Sequence, residues 1–145
     1  MRELVRSEIE IDAAPERVWQ VLTDFGAYPE WNSFITSIEG EARVGAQLTI
    51  RIEPAGGRAM TLKPRLLRCD GPTELRWLGR LLLPRVFDGE HIFELAALDG
   101  GGTRLVQREE FGGVLVRPLW RMVSGGVEQG FASMNEALKA RAEAG

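Results

Sequence analysis

Cysteine and histidine are nearly missing from this 145-residue sequence: Cys69 is the only thiol and His91 the only imidazole. A single cysteine excludes an intramolecular disulfide and a thiolate metal cluster. One His and one Cys also exclude multi-His, Cys/His and iron–sulfur centres, so neither a metal nor a cofactor is expected. No run of about 18 apolar residues occurs, which leaves no integral membrane segment to expect. A basic surplus is lacking too: 18 Lys and Arg stand against 21 Asp and Glu, for a net charge of −3. Nucleic-acid binders usually show the opposite balance, so no nucleic-acid partner is expected. Arg58, Lys63, Arg65, Arg68, Arg76 and Arg80 are spread along strand-like stretches, as on a solvated outer sheet face. Met1-Arg2-Glu3-Leu4 lacks the basic-then-apolar order of a signal peptide. The expected location is cytoplasmic and reducing. With no internal repeat or linker, residues 1–145 are expected to form one domain.

What is present is ordered. Leu115 to Ala142 reads as one long amphipathic helix, about 42 Å at 1.5 Å per residue. Val123, Val127, Phe131, Met134 and Leu138 form its stripe, at steps of three and four. Gly125, Gly126 and Gly130 sit inside it, each costing up to about 1 kcal/mol relative to Ala. They either let the helix pack closely, mark a kink or make room for a ligand. Near the other end, Leu4–Ile11 reads as a strand. Pro15 then opens a short helix carrying Val18, Val21 and Leu22, which Gly26 is expected to stop. A short second helix or turn holds Tyr28, Pro29 and Trp31. Between lies a meander: Phe34–Glu39, Ala46–Glu53, Ala59–Cys69, Glu74–Arg80, Val86–Leu98 and Thr103–Phe111. Its separators are rich in Gly and Pro and short, which favours antiparallel neighbours.

Alternation sorts the strands' two faces. In Val86–Leu98, Phe87, Gly89, His91, Phe93 and Leu95 share one side, while Asp88, Glu90 and Glu94 share the other, with Ile92 as the exception. The charged side is the wet one, so His91 is expected to point inward. By the same argument Leu105, Gln107, Glu109 and Phe111 point inward, opposite Arg104, Arg108 and Glu110. In Glu74–Leu81 the inward set is Leu75, Trp77, Gly79 and Leu81. His91 and Glu109 thus share an apolar interior. Burial would raise the carboxyl's pKa and lower the imidazole's, whereas mutual pairing would favour both charges.

These residues resemble a family. Ile11-Asp12-Ala13-Ala14-Pro15-Glu16-Arg17-Val18-Trp19, Asp24-Phe25 and Tyr28-Pro29-Glu30-Trp31-Asn32 resemble the N-terminal signature of the SRPBCC superfamily, which holds the START-like and Bet v 1-like proteins. Phe87-Asp88-Gly89-Glu90-His91, Thr103 to Glu109 and the tail from Gly130-Phe131 to Lys139 are similar to its small bacterial members. The resemblance implies an α+β helix-grip fold: a curved antiparallel sheet of about seven strands wraps a long C-terminal helix, with two short helices after the first strand. It also implies a cavity that in many relatives holds lipids, sterols, polyketides or hormones. Because this superfamily hosts carriers, sensors and enzymes, fold alone does not assign the activity.

Three functions stay open. One is a carrier or sensor for a small hydrophobic molecule, lined by Trp31, Phe34, Trp77, Phe87, His91, Phe93, Gln107, Glu109, Phe111, Trp120, Met122 and Phe131. Leu81-Leu82-Leu83-Pro84 forms its rim or else finishes a core strand. Another is cyclase or dehydratase chemistry, with His91 and Glu109 as acid and base. No Gly-x-Ser-x-Gly elbow and no phosphate-binding Gly-rich loop offers different chemistry. The third is a ligand-free interaction module with a collapsed core.

Overall fold

The computed structural model describes residues 3–81 and 83–145, with Leu81 described by its backbone alone. Met1, Arg2 and Leu82 lie outside the described residues, and with Leu82 the centre of the expected Leu81–Pro84 rim. β1 (Glu3–Ile11) leads into α1 (Pro15–Thr23), where Pro15 occupies the first turn and Val18, Val21 and Leu22 face the core. α1 ends before Gly26, not at it. Asp24 leaves the helical region with ψ of 75°, and Gly26 lies within a 3₁₀ segment, Phe25–Glu30. The buried Tyr28 hydroxyl donates to the Leu22 carbonyl at 2.5 Å, tying that segment to α1.

The remaining strands are β2 (Ile35–Glu39), β3 (Thr49–Ile52), β4 (Met60–Leu62), β5 (Arg65–Asp70), β6 (Glu74–Leu81), β7 (Phe87–Ala97) and β8 (Thr103–Gly112). The described residues therefore hold eight strands where the sequence suggests about seven. The stretch Ala59–Cys69 divides at Lys63-Pro64, because proline has no N–H with which to continue a ladder. Five strands pair antiparallel in the order β1-β8-β7-β6-β5, and three more in the order β2-β3-β4. Residues 46–48 join the two sheets: Leu48 donates its N–H to Pro64 at 2.8 Å and Leu66 donates to Ala46 at 2.9 Å. α2 (Val116–Ala144) packs across β1, β8 and α1, completing the α+β helix-grip architecture.

α2 has two unlike halves. Gly130, Phe131, Met134, Asn135, Leu138 and Ala142 are buried. Gly130 is needed there, since a Cβ would collide with the Phe34 ring. In residues 117–129 nothing is buried, and Trp120, Val123 and Val127 are only half-covered. The helix runs unbroken through its glycines. Gly126 borders the Pro54 ring, and Gly125 faces open space.

On the sheet face away from α2, Arg6, Arg108, Ile92, Arg76 and Arg68 line up across five strands. Ile92 is fully buried among them. Arg76 bonds Glu74 and Glu90 at 2.9 and 2.8 Å, and Arg108 bonds Glu94 and Glu110 at 3.0 and 2.8 Å. Arginines pinned by carboxylates on both sides cover an isoleucine with their apolar stems, which explains the one exception in the alternation.

Candidate functional site

The register places Trp77, His91, Glu109 and Val5 side by side on four neighbouring strands. One step along lie Leu75, Phe93, Gln107 and Ser7. His91 is buried in aromatic surroundings. Phe93 stacks on it at 4.6 Å between centroids, Phe131 of α2 lies at 4.9 Å and Trp77 at 5.0 Å.

Its protonation follows from a chain of hydrogen bonds. Asn135 Nδ2 donates to Ser7 Oγ at 3.1 Å, so Asn135 Oδ1 is left to accept from Gln107 Nε2 at 2.7 Å. Gln107 Oε1 then faces His91 Nε2 at 2.9 Å and accepts its proton. His91 is therefore held as the Nε2–H tautomer, with the Nδ1 lone pair free. Nδ1 faces Glu109 Oε1 at 3.8 Å, beyond hydrogen-bond reach.

At that separation desolvation prevails over pairing. Burial lowers the His91 pKa to about 4, with the Gln107 bond opposing it weakly. Burial alone pushes the Glu109 carboxyl up to about 8. Near neutral pH both groups are uncharged: a carboxylic acid that donates stands beside an imidazole nitrogen that accepts. Gly89 makes this possible, since a Cβ there would collide with Glu109 Oε2. Although it faces inward, the Glu109 side chain keeps 18% of its accessible surface.

Beyond Glu109 a second aromatic group continues toward the thinly packed half of α2. Phe87 and Phe111 lie 5.8 Å apart, and Phe111 meets Trp120 at 5.5 Å. Phe34 joins the first group through Phe131, at 6.0 Å. Two expected residues stand elsewhere. Met122 is 80% exposed on the outside of α2; a helix carries its stripe on one side only, and Met122 lies off the Trp120–Val123–Val127 stripe. Trp31 packs on Tyr28 and lines a hollow of about 130 Å³ with Arg17, Gln20, Asp24 and Arg141. A wider groove of about 400 Å³ lies among paired charges on the outer sheet face, including Arg68, Glu74, Glu94 and Arg104. Neither hollow touches His91 or Glu109. Sequence reasoning missed Ser7 and Asn135. Asn135 carried a signal, being a polar residue set between Phe131 and Leu138 on the buried stripe of α2.

Comparison with known proteins agrees with this architecture. The model of the family described as polyketide cyclase/dehydrase and lipid transport matches residues 2–143. The aromatase/cyclase Zhui from Streptomyces superposes with a TM-score of 0.80 at 19% identity, over 99% of this chain and 94% of that one. A START superfamily protein from Mycobacterium smegmatis gives 0.77 at 22% identity, over 97% of both chains. Ara h 8.0201 gives 0.76 at 16% identity, over 100% of both. A comparison with curated protein sequences finds no match. At such identities the structural likeness establishes the fold, and the match along nearly the whole sequence establishes the family. The chain belongs to the polyketide cyclase/dehydrase and lipid transport family, within the SRPBCC superfamily.

Proposed function

We propose that this protein binds a small, uncharged hydrophobic molecule between the sheet and the first half of α2, as a carrier or sensor. One observation carries the reading: no residue from 117 to 129 of α2 is fully buried, while the inward-facing Glu109 stays partly accessible. Half-covered apolar side chains facing aromatic ones, with a few convergent polar groups, are the usual composition of a small-molecule site. The polar pair sets the ligand's chemistry. Neutral Glu109 donates and His91 Nδ1 accepts, which suits a ligand carbonyl or hydroxyl. A ligand carboxylate or ammonium would be desolvated there without a counter-charge. The family description, which includes lipid transport, is consistent with such cargo.

Native mass spectrometry of the purified, untreated protein tests this, together with fluorescence titration using aminoanthracene, a neutral aromatic probe. A non-covalent mass lost on denaturation, or saturable probe binding that Val123→Trp blocks without lowering Tm, is the expected result. A clean apo mass with no probe binding would favour a ligand-free interaction module.

The separation of His91 Nδ1 from a protonated Glu109 also favours a second reading, acid–base chemistry of the cyclase or dehydratase type. Glu109 would protonate a substrate carbonyl while His91 Nδ1 accepts a proton from the adjacent carbon. On that reading His91→Ala abolishes turnover and leaves ligand affinity within about tenfold. Equal loss of both would remove the catalytic role.

A further inference from the structure

We propose that one end of the molecule, formed by residues 83–86, 113–115 and the first turns of α2, docks on a membrane surface that carries anionic lipid. The two loops form one platform. Val114 donates its N–H to the Arg85 carbonyl and Leu115 to that of Val86, each at 3.0 Å, while Val86 donates to Leu83 at 3.3 Å. Gly113, at φ of 122°, lies so close that a Cβ would collide with the Val86 carbonyl. Arg85 holds a left-handed φ of 69°, a conformation that a non-glycine residue keeps only where its surroundings impose it.

That platform presents what a core would normally hide. Leu83 is 69% exposed, Val114 75% and Met122 80%, the three highest values among the large exposed hydrophobics. Arg85, Arg117 and Arg121 are exposed beside them, and among the described residues none of the three guanidinium groups makes an ion pair. From Gly112 to Val127 the sequence contains these last two arginines and no acidic residue. Asp88, which borders the platform, is engaged by the Arg85 backbone N–H at 3.3 Å and by Arg80 at 3.7 Å. A chain with a net charge of −3 therefore keeps one corner positive.

Separate aliphatic tips set among arginines suit a lipid headgroup region, where each tip enters singly and each guanidinium meets phosphate. A protein interface centres on a closely packed apolar core enriched in aromatic side chains, which separate Leu, Val and Met tips do not supply, and a net charge of −3 disfavours nucleic acid. No helix among the described residues is long and apolar enough to cross a membrane, so the contact is peripheral. The surface argument stands apart from ligand binding, so either can fail without the other. It does place a membrane against the half of α2 that leaves the aromatic interior least covered.

Co-sedimentation tests the docking, using phosphatidylcholine vesicles with and without about a quarter phosphatidylglycerol. The wild-type protein should pellet with the anionic vesicles and be released by added salt. Arg117→Glu combined with Arg121→Glu should weaken binding at least 25-fold, about fivefold for each arginine. Val114→Ser with Met122→Ser should weaken it too, with Tm unchanged. Val44→Ser, on a remote loop where Val44 is 57% exposed, should leave it intact. Wild-type protein that stays in the supernatant, equal pelleting with neutral vesicles, or a charge-reversed variant that pellets normally would each overturn the proposal.

Discussion

Raising the pH from 6.5 to 8 should destabilise the folded protein by about 1.3 kcal/mol, and Glu109→Gln should abolish that loss. Burial raises the Glu109 pKa from 4.5 to about 8, so the native state holds a proton that the unfolded chain has released. With more protons on the native state, stability falls as pH rises, by about 1.4 kcal/mol per unit for one group. His91 acts in the opposite sense. Its pKa falls from 6.5 to about 4 on folding, so stability is lost as pH drops through that window. Between about pH 5 and 6 the two slopes cancel; above 6.5 the His91 contribution fades and that of Glu109 dominates. The Cys69 thiol, raised from 9.0 chiefly by burial, acts only at higher pH. Urea denaturation followed by tryptophan fluorescence, repeated across this range, measures the profile. The wild-type curve should be level up to pH 6.5 and then decline. Glu109→Gln keeps the shape and a donor, and should leave only the His91 rise followed by a plateau. A wild-type curve level to pH 8, or a variant that declines as steeply, would refute the assignment of a neutral, buried Glu109.

Two further predictions concern α2. Gly130→Ala gains up to about 1 kcal/mol of helix propensity, but drives a Cβ into the buried Phe34 ring at an overpacking cost of about 1–3 kcal/mol. Thermal melts should show Gly130→Ala below the wild type and Gly125→Ala, which points into open space, at or above it; shifts of the same sign would contradict the packing argument. Asn135→Leu leaves the Gln107 amide without its acceptor, at about 1–3 kcal/mol, and frees that amide to turn over. Imidazole nitrogen NMR should report pure Nε2–H His91 in the wild type and a mixture of tautomers in the variant. An unchanged tautomer would show that Asn135 does not set it.

Much of the fold is legible because strand periodicity is a property of the backbone. Glu90 and Glu94 had to face water, which sent His91 and Phe93 inward, and a shared ladder then carried Gln107 and Glu109 to the same side. The misplaced boundaries have local causes. Ala59–Cys69 alternates well enough to look like one strand, yet Pro64 inside it cannot donate to a ladder. Gly26 looks like a helix stop, but Asp24 had already turned the chain two residues earlier. Met122 was assigned to the interior for its chemistry, whereas its phase on the helix puts it outside.

The site is less legible, because its character depends on distances that a pattern does not carry. The stripe from Val123 to Leu138 repeats evenly and says which side of α2 turns toward the sheet, not how far away it stands. That separation is set by the partners. Phe34 seated on Gly130 draws one half of the helix tightly down. Toward the other half the sheet offers Gly79 and Gly89, with Phe111 reaching up to Trp120 instead of a side chain locking into the helix backbone. The protonation of His91 and Glu109 is decided within the sheet, by burial and by the spacing of two side chains on paired strands. Had the two side chains been in contact, pairing would favour the charged forms. At 3.8 Å, in an apolar setting, each loses its hydration without gaining a counter-charge in contact, and both go neutral. A thinly covered half of α2 and a neutral acid–base pair thus have separate causes, the seating of the helix on Phe34 and the burial of two side chains on neighbouring strands.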